Sequence, residues 1–250
     1  MTRLLTAAAL GALLLPALPA RSFDIGAMSD EERAAFGQAV RDYLMENPEV
    51  LVESITVLEA RQAEAGVQND LALVQAHREA LFDDGHSWVG GNPDGDLTMV
   101  EFIDYRCGVC RQFAPEVFDA VEEDGNIRLI LKELPILGQD SEMSGRFAVA
   151  VLQEAGDEAY QRAHDALMAL RGPATIPALE ELARGIDLDP APIIARMTSE
   201  SVTDVLRSNR QLAEAMAIQG TPTFVIGDQM LRGVPRAGVA ATIAQIREAG

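Results

Sequence analysis

Both cysteines of this 250-residue chain, Cys107 and Cys110, stand in one Cys-x-x-Cys with Gly108 and Val109 between them, just after the apolar run Leu97 to Ile103. A strand that delivers such a pair to the start of a helix suits reversible thiol-disulfide chemistry, because helix-end amides and nearby cations hold the first sulfur as a thiolate. Two thiols supply half the ligands of a closed zinc site, and His77, His86 and His164 do not stand at finger-like spacing. A ring closed over so few residues gains little stability from chain entropy, so a permanent structural disulfide is the weaker reading. No added cofactor is called for, and the reacting group would be the Cys107-Cys110 disulfide itself.

The N-terminus bears on where this chemistry happens. Met1 to Arg3 is positively charged, Leu4 to Leu15 is apolar, and Pro16 to Ala20 ends in a small residue, the pattern of a secretory signal peptide over residues 1–20. The apolar stretch is shorter than the roughly 20 residues that span a bilayer. An exported, periplasmic protein follows, in a compartment that permits disulfides. The net charge of −19 argues against nucleic acid as a partner, because phosphate attraction needs clustered Lys and Arg. A 48% hydrophobic composition is that of a chain with a full core.

Residues 21–82 read as an N-terminal helical region. Ser29 with Glu32 forms a capping box, Phe36, Val40 and Tyr43 recur at helical spacing, and Asn47-Pro48 breaks the first helix. Leu51, Ile55 and Leu58 continue the stripe, and Leu71, Val74 and Leu81 follow Gly66. So thin a stripe needs a partner surface, and a self-associating stalk accounts for it. Residues 83–96, rich in Gly with Pro93, read as a linker to a catalytic domain over 97–250. There a strand to Asp104, a helix from about Gly108 to Glu122 and a strand Ile127 to Leu134 make a β-α-β unit. A helical insertion fills about 139–219, and Thr223 to Ile226, Met230 to Gly233 and Ala237 to Glu248 read as hairpin and helix. The sum is an α/β class, a thioredoxin-like fold with a helical insertion behind an N-terminal helical region.

In this order, GNPDGDLTMVEFIDYRCGVC, KELPILGQDSEMSGR and GTPTFVIG resemble the DsbA family of periplasmic thiol-disulfide oxidoreductases, and within it the ScsC and Com1-type branch. QAVRDYLMENPEVL resembles the N-terminal region of that branch, some of whose members are trimers. The resemblance implies a disulfide isomerase or reductase acting on misfolded exported proteins, a membrane redox partner, and a homo-oligomer. A dithiol oxidase of the DsbA type, or a copper handler binding Cu(I) with the same two thiolates, is the alternative.

Residue by residue, Cys107 is the expected exposed nucleophile, with Arg106 and Arg111 adding positive potential and Asp104 opposing it. Cys110 is expected to be more buried and to resolve the mixed disulfide. Gly108-Val109 lacks the histidine of strong oxidases, so a milder oxidant is expected. Thr221 and Pro222 match the cis-proline loop, and threonine there points towards isomerases. Glu101 and Lys132 match the acid and base that the family buries beneath the disulfide, a pair that could carry the proton Cys110 must lose. Pro115, inside the active-site helix, reads as structural.

Overall fold

A computed structural model describes residues 25–249; the expected signal peptide lies outside the described residues. The chain divides after Ala60 into two compact units.

In the first unit, α1 (Asp30–Glu46) begins at the expected capping box, where the Ser29 Oγ accepts from the Glu32 N–H and the Glu32 carboxylate accepts from the Ser29 N–H at 2.8 Å. The helix buries no residue. Phe36, Val40 and Tyr43, with Leu51, Val52, Ile55 and Leu58 from α2 (Glu49–Ala76), are all exposed apolar side chains. Gly66 does not interrupt α2.

The second unit is built on a five-stranded sheet in the order β1-β3-β2-β4-β5, from β1 (Trp88–Gly91), β2 (Leu97–Ile103), β3 (Ile127–Glu133), β4 (Thr223–Ile226) and β5 (Gln229–Arg232). Only the β2-β3 pairing is parallel, joined through α4 (Gly108–Asp124), whose end is set by Gly125 at φ 70°, a conformation that favours glycine. Five helices form the insertion: α5 (Gln139–Ala155), α6 (Asp157–Ala169), α7 (Ile176–Gly185), α8 (Pro190–Arg196) and α9 (Glu200–Ala215). The closing helix is α10 (Val239–Ala249).

Strand alternation sends successive side chains to opposite faces, and each face has its own core. Met99, Ile103, Leu129 and Leu131 join Cys107, Cys110 and the insertion helices on one face. Val100, Phe102, Ile130 and Leu134 pack on the other with Val74, Leu81 and Phe82. The last three come from the end of α2 and from α3 (Arg78–Phe82). Thus the end of the region read as N-terminal helix contributes core to the catalytic unit, and the compact division falls at Ala60 rather than at Phe82.

The stretch 83–96 is likewise more than a linker. It contains β1, which pairs antiparallel with β3 from Trp88 opposite Leu131 to Gly91 opposite Arg128. Its glycines suggested a loop, yet Gly91 is needed for close approach: a Cβ there would stand 2.4 Å from the Ile127 carbonyl oxygen. Asp84 fixes this segment to the sheet. Its carboxylate accepts from the Ser87 Oγ at 2.6 Å and pairs with the wholly buried Lys132 ammonium, which also donates to the Ser87 Oγ at 3.2 Å. Burial would raise the Asp84 carboxyl, but Lys132 and the Ser87 hydrogen bonds bring it down to about 2 from an ordinary 3.8. With the folded value the lower, this stabilisation is complete above pH 3.8 and is lost as pH falls through 2.

Removing one partner of a buried pair strands the other charge. Asp84→Ala is therefore expected to lower unfolding free energy in urea by about 3–5 kcal/mol, and Lys132→Met in the same chain to recover much of it. An Asp84→Ala protein as stable as the parent would contradict the pairing.

Candidate redox site at the start of the fourth helix

Cys107 is the N-cap of α4, in extended conformation at φ −71° and ψ 117°, and its sulfur accepts from the Cys110 N–H at 3.4 Å. The sulfur thus occupies the place where helix amides favour negative charge. Opposite stands the loop before β4, where the Thr221-Pro222 peptide is cis and the Cys107 thiol lies 3.2 Å from the Thr221 carbonyl oxygen. Both cysteines are free thiols. Cys107 is 7% exposed and Cys110 1%, so the first sulfur is the more accessible but is largely covered, contrary to an open nucleophile.

Electrostatics separate the two thiols. Burial would raise the Cys107 pKa, but hydrogen bonds from the Cys110 N–H, the Thr221 side chain, the Cys110 side chain and the Val109 N–H together carry it below its ordinary value. Burial pushes the Cys110 thiol far up. The first sulfur is the more readily ionised, and the other needs a proton acceptor before it can attack.

Glu101 is on β2, in register with Leu131, on the sheet face that packs against α4. It is buried, and burial together with the Cys107 thiolate raises its carboxyl to about 8. Lys132 is not its partner. It stands in register with Phe102, one residue out of phase with Glu101, and side chains that alternate across a sheet then point to opposite faces. The expected Glu101-Lys132 pair is therefore divided by the sheet, with Lys132 paired to Asp84 on the far side.

The flanking charges are also used differently from the expectation. Arg111 donates to the Met168 carbonyl at 2.7 Å and the Leu170 carbonyl at 2.6 Å, fastening α4 to the last carbonyls of α6. Arg106 has a buried Nη1 without a hydrogen-bond partner among the described residues. The Asp104 carboxylate accepts from three backbone N–H groups, of Arg106 at 2.8 Å, Ile136 at 2.8 Å and Leu137 at 3.1 Å. It ties the approach to Cys107 to the loop after β3, a role that one acid between an apolar run and a cysteine does not disclose. Pro115 lies inside α4.

Residues 98–242 match the model of the DSBA-like thioredoxin domain, more than half of the chain, and the chain belongs to that family. Residues 32–65 match the model of the Copper resistance protein ScsC N-terminal domain. A thioredoxin-like oxidoreductase from Silicibacter pomeroyi is 36% identical with a TM-score of 0.63, over 69% of this chain and 99% of that one. BcfH of Salmonella enterica Typhimurium is 28% identical with a TM-score of 0.73, over 87% of this chain and 95% of that one. Among curated relatives, Disulfide bond formation protein D of Bacillus subtilis is 23% identical over 152 residues, 57% of this chain and 68% of that one. The chain spans 23% of the length of another, an Na(+)/H(+) antiporter of Salinispora arenicola to which it is 26% identical over 60% of its own length.

The cap geometry makes a direct demand on titration. Thiolate absorbance and alkylation followed against pH are expected to find Cys107 ionising below an ordinary cysteine, and Cys110 unreactive until the chain is unfolded. Two thiols ionising together would show that the cap does not hold the charge.

Proposed function

We propose that this member of the DSBA-like family exchanges thiols and disulfides with misfolded exported proteins, as a disulfide isomerase or reductase rather than a dedicated oxidase. The observation that carries the reading is the Cys107 sulfur at the N-cap of α4, facing Thr221 beside the cis bond to Pro222, with Cys110 buried behind it. No cofactor beyond the cysteine pair is required.

In the reducing direction the Cys107 thiolate attacks a substrate disulfide, the substrate S–S bond breaks, and one substrate sulfur leaves as a thiolate that takes a proton. Cys110 then gives its proton to the Glu101 carboxylate and attacks the Cys107 sulfur. The Cys107-Cys110 bond forms, the mixed disulfide breaks, and the second substrate thiolate leaves. Two electrons have passed from the cysteine pair to the substrate. If the freed substrate thiolate attacks another disulfide of its own chain before Cys110 acts, the outcome is isomerisation and Cys107 is regenerated. With its carboxyl held near 8, Glu101 is a carboxylate in the minor fraction of molecules at neutral pH, and that fraction accepts the proton and grows as pH rises towards 8. Thr221 and Pro222 shape the surface where the substrate chain lies beside the sulfur.

Isomerase or reductase chemistry is favoured by three features. Gly108-Val109 brings no cation to the thiolate, the residue before the cis proline is threonine, and the match to the ScsC N-terminal domain coincides with exposed Phe36, Val40, Tyr43, Leu51, Ile55 and Leu58. That stripe fits a homo-oligomer, a trimer being one form. Several sites on one assembly raise the effective concentration of thiolate around one misfolded substrate. A membrane redox partner would keep the pair reduced, in the periplasm to which residues 1–20 would direct the chain. Among the described residues, no helix is long and apolar enough to cross a membrane. A second reading, Cu(I) held by the two thiolates, is supported by the copper-resistance name of the matched N-terminal family.

The test is recovery of scrambled ribonuclease by the mature protein in a glutathione buffer. Recovery is expected, with loss on Cys107→Ser and slower release of mixed disulfide on Glu101→Gln. Absence of recovery with Cys107 still reactive would remove the isomerase and leave a dedicated reductase or an oxidase, and stoichiometric Cu(I) uptake without exchange would turn the assignment to copper.

A further inference from the structure

The sheet face beneath the cysteines carries a second buried acid. Glu133 stands on β3 in register with Ile103, two residues beyond the position opposite Glu101, and so projects to the same face as Glu101. Glu133 is 3% exposed, and its Oε1 accepts from the hydroxyl of Tyr105 at 2.9 Å and from the hydroxyl of Tyr160. Tyr105 lies two residues before Cys107 and Tyr160 lies on α6, so one carboxyl joins the active-site loop to the insertion. His164, also on α6, places its Nδ1 3.3 Å from the Tyr105 hydroxyl. With the proton on Nδ1, His164 donates to Tyr105 while Tyr105 donates to Glu133.

No cation is in contact with this carboxyl among the described residues. From the active-site loop it is faced by Tyr105 and by the acid Asp104, and from α6 by Tyr160 and, through Tyr105, by His164. Burial holds the His164 imidazole down to about 4, so it is neutral at pH 7. From β2 comes Glu101, and from α9 the Asn209 amide, which donates to the Glu133 backbone carbonyl at 3.1 Å. Towards β1 lies a cavity of about 10 Å³ lined in part by His86, Trp88, Tyr160 and Asn209. The Lys132 ammonium, its sequence neighbour, is on the other face with Asp84. A buried carboxylate without a cation is costly, and taking up a proton removes that cost.

We propose that Glu133, held by Tyr105 and Tyr160, is a second proton-holding carboxyl of the redox site, standing neutral beneath it where a buried base was expected. By keeping its proton it adds no negative charge against the Cys107 thiolate or against the carboxylate form that Glu101 must take before it accepts the proton of Cys110. Its action on the cysteines passes through those groups, which makes Glu133 a positioning residue. Burial raises its carboxyl to about 8, although hydrogen bonds from Tyr160 and Tyr105 oppose the rise and Asp104 adds to it. The folded form thus holds a proton that it releases as pH passes 8. What the acid is for rests on the exchange reading of Cys107 and Cys110; whether it is protonated does not.

Infrared spectra of the reduced full-length protein between pH 6 and 10 read this directly, with Glu133→Gln and Glu101→Gln beside the parent. Glutamine keeps an oxygen that accepts from both tyrosines, so circular dichroism should match the parent. A protonated-carboxyl C=O band is expected at pH 6, disappearing with a midpoint near 8, and each substitution is expected to remove about half of it. If Glu133→Gln leaves the band whole, Glu133 is a carboxylate anchored by two tyrosines and the proposal is wrong. Should that variant not fold, parent protein labelled with ¹³C at the glutamate carboxyls decides: two glutamates titrating near 8 support the proposal, and a single one overturns it. Failure of ribonuclease recovery would leave either result standing, so loss of the exchange reading and loss of this inference are told apart.

Discussion

The second unit is organised around a sulfur placed at a helix end. Cys107 is at once the N-cap of α4 and the group facing Thr221, and the Cys110 amide that its sulfur satisfies at the helix terminus is the same amide that lowers the thiol pKa. The surrounding packing keeps that arrangement in place. Arg111 fastens the first turn of α4 to the end of α6, and Asp104 holds the approach to the cap against the loop after β3. Local structure and reactivity are set here by one hydrogen-bond pattern.

Much of this was legible in the sequence because the signals were local. The Ser29-Glu32 box, the strand leading to Cys107, the helix after it and the turn before Gln229 all depend on neighbours within a few residues, and the elements fall close to where the pattern put them. The breaks among the insertion helices were marked by Gly and Pro, and α7 and α8 start at capping residues, Thr175 and Asp189. Non-local features were harder to read. The run 83–96 has loop composition, yet pairing with β3 makes part of it an edge strand, and its Asp84 meets a lysine 48 residues away. Nothing in a window around either residue records that contact.

The Lys132 case shows how narrow the margin is. Side chains on a strand alternate, so a shift of one position moves a charge from beneath the cysteines to the opposite core. A match to a family motif gives the strand, but the register decides the face. Once the register is known, Glu133 occupies the cysteine face and Lys132 leaves it. The ionisable groups beneath the thiols are then Glu101, Glu133, Tyr105 and Tyr160, with Asp104 beside them and a histidine held neutral by burial. On the proposed reading, the proton economy of such a site runs through carboxyl groups that ionise late, rather than through an acid already paired with a base.

The central claim is a division of labour: Cys107 meets the substrate and Cys110 resolves the intermediate. It is tested most directly by incubating the Cys110→Ser protein with a disulfide-bonded peptide and locating the adduct by mass spectrometry. The account predicts a mixed disulfide at Cys107 that persists without Cys110 and does not accumulate in the parent. An absence of adduct in Cys110→Ser, or an adduct in the parent as long-lived as in the variant, would contradict it.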